Sequence, residues 1–256
     1  KLFSFREIPE LLRLLEAKGK NKIDYLIYTH IHLDHSGGAG QFIVAHPETK
    51  VLAPEKGRPH LVDPSKLIAG SRTSLGSLCD VYGAPIPLPA ENLIDGGIPN
   101  LTVIDTPGHA PHHSSYIYEL AGRWILFAGE AAGCWFRCDD GSCFMRPATP
   151  HKFFYDRAVA SLNRLRALED IDVVCFPHSG YLEDASEVFD RAAEQMKLWL
   201  AVLSALPAGT SPEDAVLALL ANDPVLANLE KMPEAVRKRE EFFIGQSVKG
   251  YLGWIE

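Results

Sequence analysis

The segment His30-Ile31-His32-Leu33-Asp34-His35 places three imidazoles and a carboxylate within six residues. Histidine is only 10 of the 256 residues in the chain, so this density is far above a chance scatter. Imidazole and carboxylate together suit one or two zinc-like or iron-like ions. Metal-activated water is a complete hydrolytic device and needs no serine or cysteine nucleophile.

The apolar run from Ile23 to Thr29 reads as a strand, and Ser36-Gly37-Gly38 reads as the entry to a helix. Three other segments repeat that order of strand, breaker and ligand. Leu101 to Asp105 is broken by Thr106-Pro107-Gly108 before His109. Arg123 to Ala128 is broken by Gly129 before Glu130. Asp172 to Phe176 ends at Pro177 before His178. Ligands past the ends of several strands can converge on one rim of a sheet.

With these residues in place, the chain resembles the metallo-β-lactamase-fold metallohydrolases. Their signature is His-x-His-x-Asp-His, then a distant His, an acidic bridging ligand and a last His. The resemblance covers roughly residues 7 to 182. Carried over residue by residue, it implies that His30, His32 and His109 bind one metal. It implies that Asp34, His35 and His178 bind the second. Glu130 falls where the family has a bridging Asp, a departure by one methylene. The fold implied is an α/β, αββα sandwich with a C-terminal helical extension. The family's opening β-hairpin is expected to be missing. Only 29 residues precede His30, residues 8–15 already read as the first helix, and the chain does not begin with Met. A trimmed chain, or another element on that sheet edge, is the expectation, because an uncovered edge is a liability.

Two cations about 3.5–4 Å apart can share a hydroxide and clamp the attacking and leaving oxygens. Two divalent ions are therefore expected, zinc by default, with iron or manganese as alternatives. Asp34 takes a catalytic role as well: its second oxygen can orient the hydroxide and carry the proton to the leaving group. Asp105 and Thr106 are candidates to steady the ligands from behind. For His112 and His113 the expectation is plain: one faces solvent and the other packs beside the site. Tyr181 and His60 are weaker candidates for substrate contact.

Net charge is −8, and no Lys/Arg-rich run is present. Phosphate-backbone binding needs concentrated basic surface, so no nucleic-acid partner is expected. No stretch approaches the ~20 apolar residues of a membrane span, and no secretory leader is visible. A cytoplasmic chain is the expectation. Cys134, Cys138 and Cys143 fall within ten residues. A Cys138–Cys143 disulfide or a metal clip stays open, but the spacing is wrong for a structural zinc site, which favours free thiols in a reducing compartment.

Helices are expected at 7–18, 37–46, 155–168 and 185–206. Ser211-Pro212-Glu213-Asp214 and Pro233-Glu234 start two more. Strands are expected at 23–29, 50–53, 81–84, 92–94, 101–105, 115–120 and 123–128, the last two as a hairpin about Ala121-Gly122. Residues 54–80 read as irregular with short helices. Residues 131–152 read as a loop, in which Trp135 and Phe136 either contact an apolar substrate or pack the loop down. The catalytic domain is expected at 1–182 and a packed helical extension at 183–256. The charged run Arg237-Lys238-Arg239-Glu240-Glu241 reads as a solvated face. The aromatic tail after it packs on its own domain or makes a homodimer contact.

The resemblance points to a dinuclear metal-dependent hydrolase of a small carboxyl derivative: a lactone, ester or thioester. The neighbouring branches are the acyl-homoserine lactonases and glyoxalase II. A phosphodiesterase resembling ribonuclease Z is the second reading, with Arg58, Arg137 and Arg146 as the candidates for phosphate contact, and β-lactam opening would be a side activity. The non-hydrolytic alternative is a di-iron redox or metal-binding protein. That branch carries Glu at the second His of the motif, where this chain has His32.

Overall fold

The computed structural model describes residues 4–183 and 186–256. The chain divides into two compact units, Lys1–Pro99 and Asn100–Glu256.

The first unit opens with a short 3-10 turn, Phe5–Glu7. Glu7 reaches back to accept from the Ser4 amide at 3.0 Å and the Ser4 hydroxyl at 2.8 Å. Helix α1 (Ile8–Ala17) follows, with Pro9 in its first turn, where the missing N–H costs nothing. The parallel strands β1 (Tyr25–Ile27), β2 (Lys50–Leu52) and β3 (Leu93–Ile94) form a sheet in that order. Leu26 lies opposite Val51, and Val51 opposite Leu93. Helices α2 (Leu33–Ser36) and α3 (Ala39–Ala45) connect β1 to β2. Helices α4 (Arg58–Val62), α5 (Ser65–Leu75) and α6 (Cys79–Tyr82) lie between β2 and β3. Tyr28, Ile31, Ile43, Val51, Leu61 and Leu88 bury the sheet's apolar side. Gly40 is required where α3 meets the 86–87 segment, because a Cβ there would lie 2.3 Å from the Ile86 carbonyl oxygen.

The second unit holds a five-stranded sheet: β4 (Leu101–Asp105), β5 (Ser114–Leu120), β6 (Arg123–Phe127), β9 (Val173–Phe176) and β10 (Gly180–Glu183). Its order is β10-β9-β6-β5-β4. Strands β5 and β6 form the expected hairpin. Its turn residues Ala121 and Gly122 both have positive φ, 52° and 77°, the conformation a two-residue hairpin turn needs. Strands β6 and β9 are parallel, joined by a crossover that carries β7 (Cys134–Arg137), β8 (Cys143–Arg146) and α7 (Tyr155–Arg166). Helices α8 (Ser186–Ser204), α9 (Pro212–Asn222) and α10 (Glu234–Ile255) complete the unit. The Ser211 hydroxyl caps α9, accepting from the Asp214 amide at 3.1 Å.

Leu126, Phe144, Leu162, Trp199, Leu219, Ile244 and Tyr251 belong to one core, so the helices after residue 183 share their interior with the strands before it. Inside it, the Asp223 carboxylate accepts from Gln195 Nε2 and Trp199 Nε1, each at 2.8 Å.

Several expectations need correction. Residues 79–82 are helical, although 81–84 reads as a strand. Residues 131–152 are not a loop throughout: β7 and β8 pair as an antiparallel hairpin, Cys134 opposite Arg146 and Arg137 opposite Cys143. Trp135 and Phe136 are buried there, Trp135 against Phe176 and Phe136 against Phe144. They pack the hairpin down. The charged run of α10 is not wholly solvated either, because Glu240 is buried and bonded to Arg146 at 2.6 Å. Ala185, the expected start of α8, lies outside the described residues. All five cysteines are free thiols. Among the described residues, no helix is long and apolar enough to cross a membrane.

Candidate functional site

In the first unit, the segment from Thr29 to Ser36 carries the dense ligand set. His30 lies between β1 and α2 and is fully buried; Asp34 and His35 lie on the single turn of α2. His32 is the N-cap residue of that turn, and its carbonyl accepts the Ser36 amide at 2.9 Å. The turn folds the rings together. The His30 centroid lies 4.5 Å from that of His32 and 4.2 Å from that of His35. His35 Nε2 lies 3.5 Å from Asp34 Oδ2. The Thr29 hydroxyl lies 3.1 Å from His30 Nδ1 and steadies that ring.

The second unit carries His109, Glu130 and His178, each past the end of its strand as the sequence suggests. Gly108 lets α7 approach His109 closely: a Cβ on Gly108 would lie 2.8 Å from the Ala158 Cα. His109 Nδ1 lies 2.9 Å from the Ala148 carbonyl oxygen. A carbonyl can only accept, so Nδ1 carries the proton and Nε2 keeps its lone pair. Metal-binding histidines are commonly held in this way. His178 occupies the tight β9–β10 turn with φ of +66°, a left-handed conformation uncommon for a side chain with Cβ. Such conformations cluster at functional sites, where surrounding structure enforces them.

Glu130 lies on the 3-10 turn Gly129–Ala132, and its side chain is 2% exposed. Its Oε1 is 3.1 Å from His178 Nε2, and its Oε2 is 3.8 Å from His113 Nε2. A buried carboxylate is costly unless it is paired or coordinates a metal. Imidazole nitrogens with a lone pair available, beside a buried carboxylate, form a donor set that fits a borderline divalent ion. A small cavity in this unit opens beside His109 and Glu130, with apolar walls from Ala131, Ala132, Phe153 and Met196.

The supporting residues differ in part from expectation. Asp105 is exposed, and its carbonyl only accepts from Arg164 at 2.6 Å. Thr106 is buried and lies 2.8 Å from His113 Nδ1. His113 packs beside the site, as expected for one of the His112-His113 pair, but through hydrogen bonds at both ring nitrogens. Tyr181 is 65% exposed. Arg58, an early candidate for phosphate contact, is bonded to the Ala53 carbonyl and to Asp95. Arg146, another, is buried on Glu240.

Comparison with known proteins agrees with this chemistry. The family model described as the metallo-β-lactamase superfamily matches residues 6–178. A metallo-β-lactamase fold-containing protein of Sulfurisphaera tokodaii, ST1585, is 29% identical over 69% of this chain and 67% of its own. A hydroxyacylglutathione hydrolase of Cupriavidus taiwanensis is 33% identical over 59% of this chain. That alignment spans about half of the hydrolase, 48% of its length. The solved structure of ST1585 superposes with a TM-score of 0.62 at 22% identity, covering 90% of this chain and 80% of that one. TTHA1429 from Thermus thermophilus superposes with a TM-score of 0.62 at 21% identity, covering 99% and 81%. The family model spans well over half of the residues, and the ligand pattern lies inside it. The chain belongs to the metallo-β-lactamase superfamily.

Proposed function

We propose that this hydrolase of the superfamily acts on a small carboxyl derivative and uses two divalent ions, zinc by default. The family pattern assigns His30, His32 and His109 to one ion and Asp34, His35 and His178 to the other. Glu130 falls where the family has an acidic ligand and would help to hold the ions. The observation that carries the reading is the buried Glu130 carboxylate 3.1 Å from His178 Nε2.

When bound, the ions would polarise the scissile carbonyl and make water nucleophilic near neutral pH. The protein's own groups do the rest. Ala148 and Thr29 orient the rings of His109 and His30. Asp34, on the turn of α2, is the group placed to hold a proton and hand it to the leaving atom. The cavity beside His109 and Glu130, about 20 Å³, has room for a water-sized group.

Among carboxyl derivatives, a thioester or lactone is favoured. The curated relatives include hydroxyacylglutathione hydrolases, which match over about half their length or less. Phosphodiester hydrolysis is the second reading, but two of its three candidate arginines are committed to Asp95 and Glu240. A cytoplasmic setting and a small-molecule substrate belong to the same proposal.

The test is kcat/KM on zinc-loaded protein for a γ-lactone, an acyl thioester and an aryl ester against an aryl phosphodiester. Preference for any carboxyl compound supports the reading. Preference for the phosphodiester overturns it.

A further inference from the structure

The amide of Glu130 belongs to the first residues of a 3-10 turn, and such amides find no partner inside their own turn. Here the partner comes from 17 residues away: the Glu130 N–H donates to His113 Nε2 at 3.1 Å. A ring nitrogen that accepts carries no proton, so neutral His113 is protonated on Nδ1. That nitrogen donates to the Thr106 hydroxyl oxygen, 2.8 Å away. The Thr106 hydroxyl then donates to Ser115 Oγ at 2.8 Å, and Ser115 donates to the Ala128 carbonyl at 2.9 Å. Every link runs in one direction, and the last is a carbonyl that can only accept. Thr106 and Ser115 are fully buried and His113 is 1% exposed, so water does not compete for these bonds.

The relay begins on the amide of residue 130 and ends on the carbonyl of residue 128. It grips the chain on both sides of Gly129, whose φ of +54° gives it the freedom of a swivel. We propose that His113 is a positioning residue: through the Glu130 amide it fixes the swivel and so holds the Glu130 carboxylate against His178. This inference rests on the reading of Glu130 as a metal ligand. It predicts that His113 sets the affinity for an ion without binding substrate.

Two substitutions separate this role from simple packing. The Gln side-chain amide reaches the place of Nε2 and can accept the Glu130 amide. The Asn side-chain amide reaches only the place of Nδ1, so it keeps Thr106 and loses Glu130. The test is titration of the metal-free protein with zinc, followed by calorimetry, together with long-range proton–nitrogen NMR of the His113 ring. The expected results are an Nδ1–H ring, a loss of about 10–100-fold in affinity for one ion in His113→Asn, and recovery of most of it in His113→Gln. Equal affinities in wild type and His113→Asn, or equal losses in both variants, would overturn the proposal. So would an Nε2–H ring. Wild-type protein that binds no zinc would instead overturn the metal reading on which the proposal stands. If His113→Asn does not fold, the ring tautomer and the His113→Gln titration decide.

Discussion

Arg146 Nε donates to Glu240 Oε2 at 2.6 Å, with side-chain exposures of 6% and 1%. Strand β8 and helix α10, 94 residues apart in sequence, are joined by this contact. Arg239 adds a second donor to Glu240 at 2.8 Å, and the Arg146 guanidinium lies over the Phe243 ring at 5.3 Å. Two charges taken out of water repay their desolvation only while both are present. Glu240→Ala should therefore lower unfolding free energy by about 3–5 kcal/mol, because it leaves Arg146 buried and uncompensated. Replacing both, as Arg146→Met with Glu240→Leu, should restore much of that loss. Urea titrations of the single and double variants check this. A double variant as unstable as the single one would mean that the pair is not the unit of stability.

The placement of the candidate ligands past strand ends was legible because most follow the same local rule: an apolar strand, a Gly or Pro breaker, then a polar side chain at the strand's end. His109, Glu130 and His178 obey it, and His30 follows its strand directly. The hairpin β7–β8 was not legible. Cys134, Trp135 and Phe136 are buried in succession, as are Phe144, Met145 and Arg146, so there is no apolar–polar alternation to read. Glu240 was misread for a related reason. Four charged neighbours surround it in sequence, and its partner lies on a distant strand. His113 carries no local mark of its role, because the amide it serves is 17 residues away.

Gly108 offers a test of how closely the fold holds His109. A Cβ there would meet the Ala158 Cα at 2.8 Å and its Cβ at 2.9 Å. The clash is with helix backbone, which cannot turn aside as a flexible side chain can. Gly108→Ala should cost about 1–3 kcal/mol in stability, as overpacked interiors do. It should also depress activity beyond the fraction unfolded, because the strain falls on the residue next to His109. Thermal melts and kcat/KM on the same preparations separate the two effects. Full activity in a folded variant would show that the α7 contact does not position His109.

Alkaline pH should weaken the fold through Cys134. Burial pushes its thiol from 9.0 up to about 12. Because the folded pKa is raised, the folded state keeps its proton where the unfolded chain has lost it. The resulting stability is fully present below pH 9 and drains away between 9 and about 12. Burial raises Tyr28 and Tyr251 as well, with the same sign. Urea midpoints should fall as pH rises from 8 to 11, and Cys134→Ala should flatten that slope. In native protein at pH 8, alkylation followed by mass spectrometry should modify half-buried Cys143 well before Cys134. A Cys134 that reacts first would mean that the β7–β8 hairpin opens readily.

The acidic position itself gives the most direct test of the metal reading. Glu130 reaches His178 with an arm one methylene longer than the Asp its family uses. Glu130→Gln preserves that arm and the fold but removes the negative charge. If the carboxylate holds an ion, Glu130→Gln should bind fewer than two zinc ions per chain, lose activity by about 100-fold or more, and stay stably folded. Glu130→Asp restores the charge at the family's length and should keep or raise activity. His32→Ala should abolish hydrolysis, and chelation should do the same to the wild type, reversibly on return of zinc. Metal content by elemental analysis, read beside kcat/KM, distinguishes the outcomes. Glu130→Gln with two ions and normal turnover would leave Glu130 as a structural partner of His178. Loss in Glu130→Asp as deep as in Glu130→Ala would show that this site depends on the longer arm.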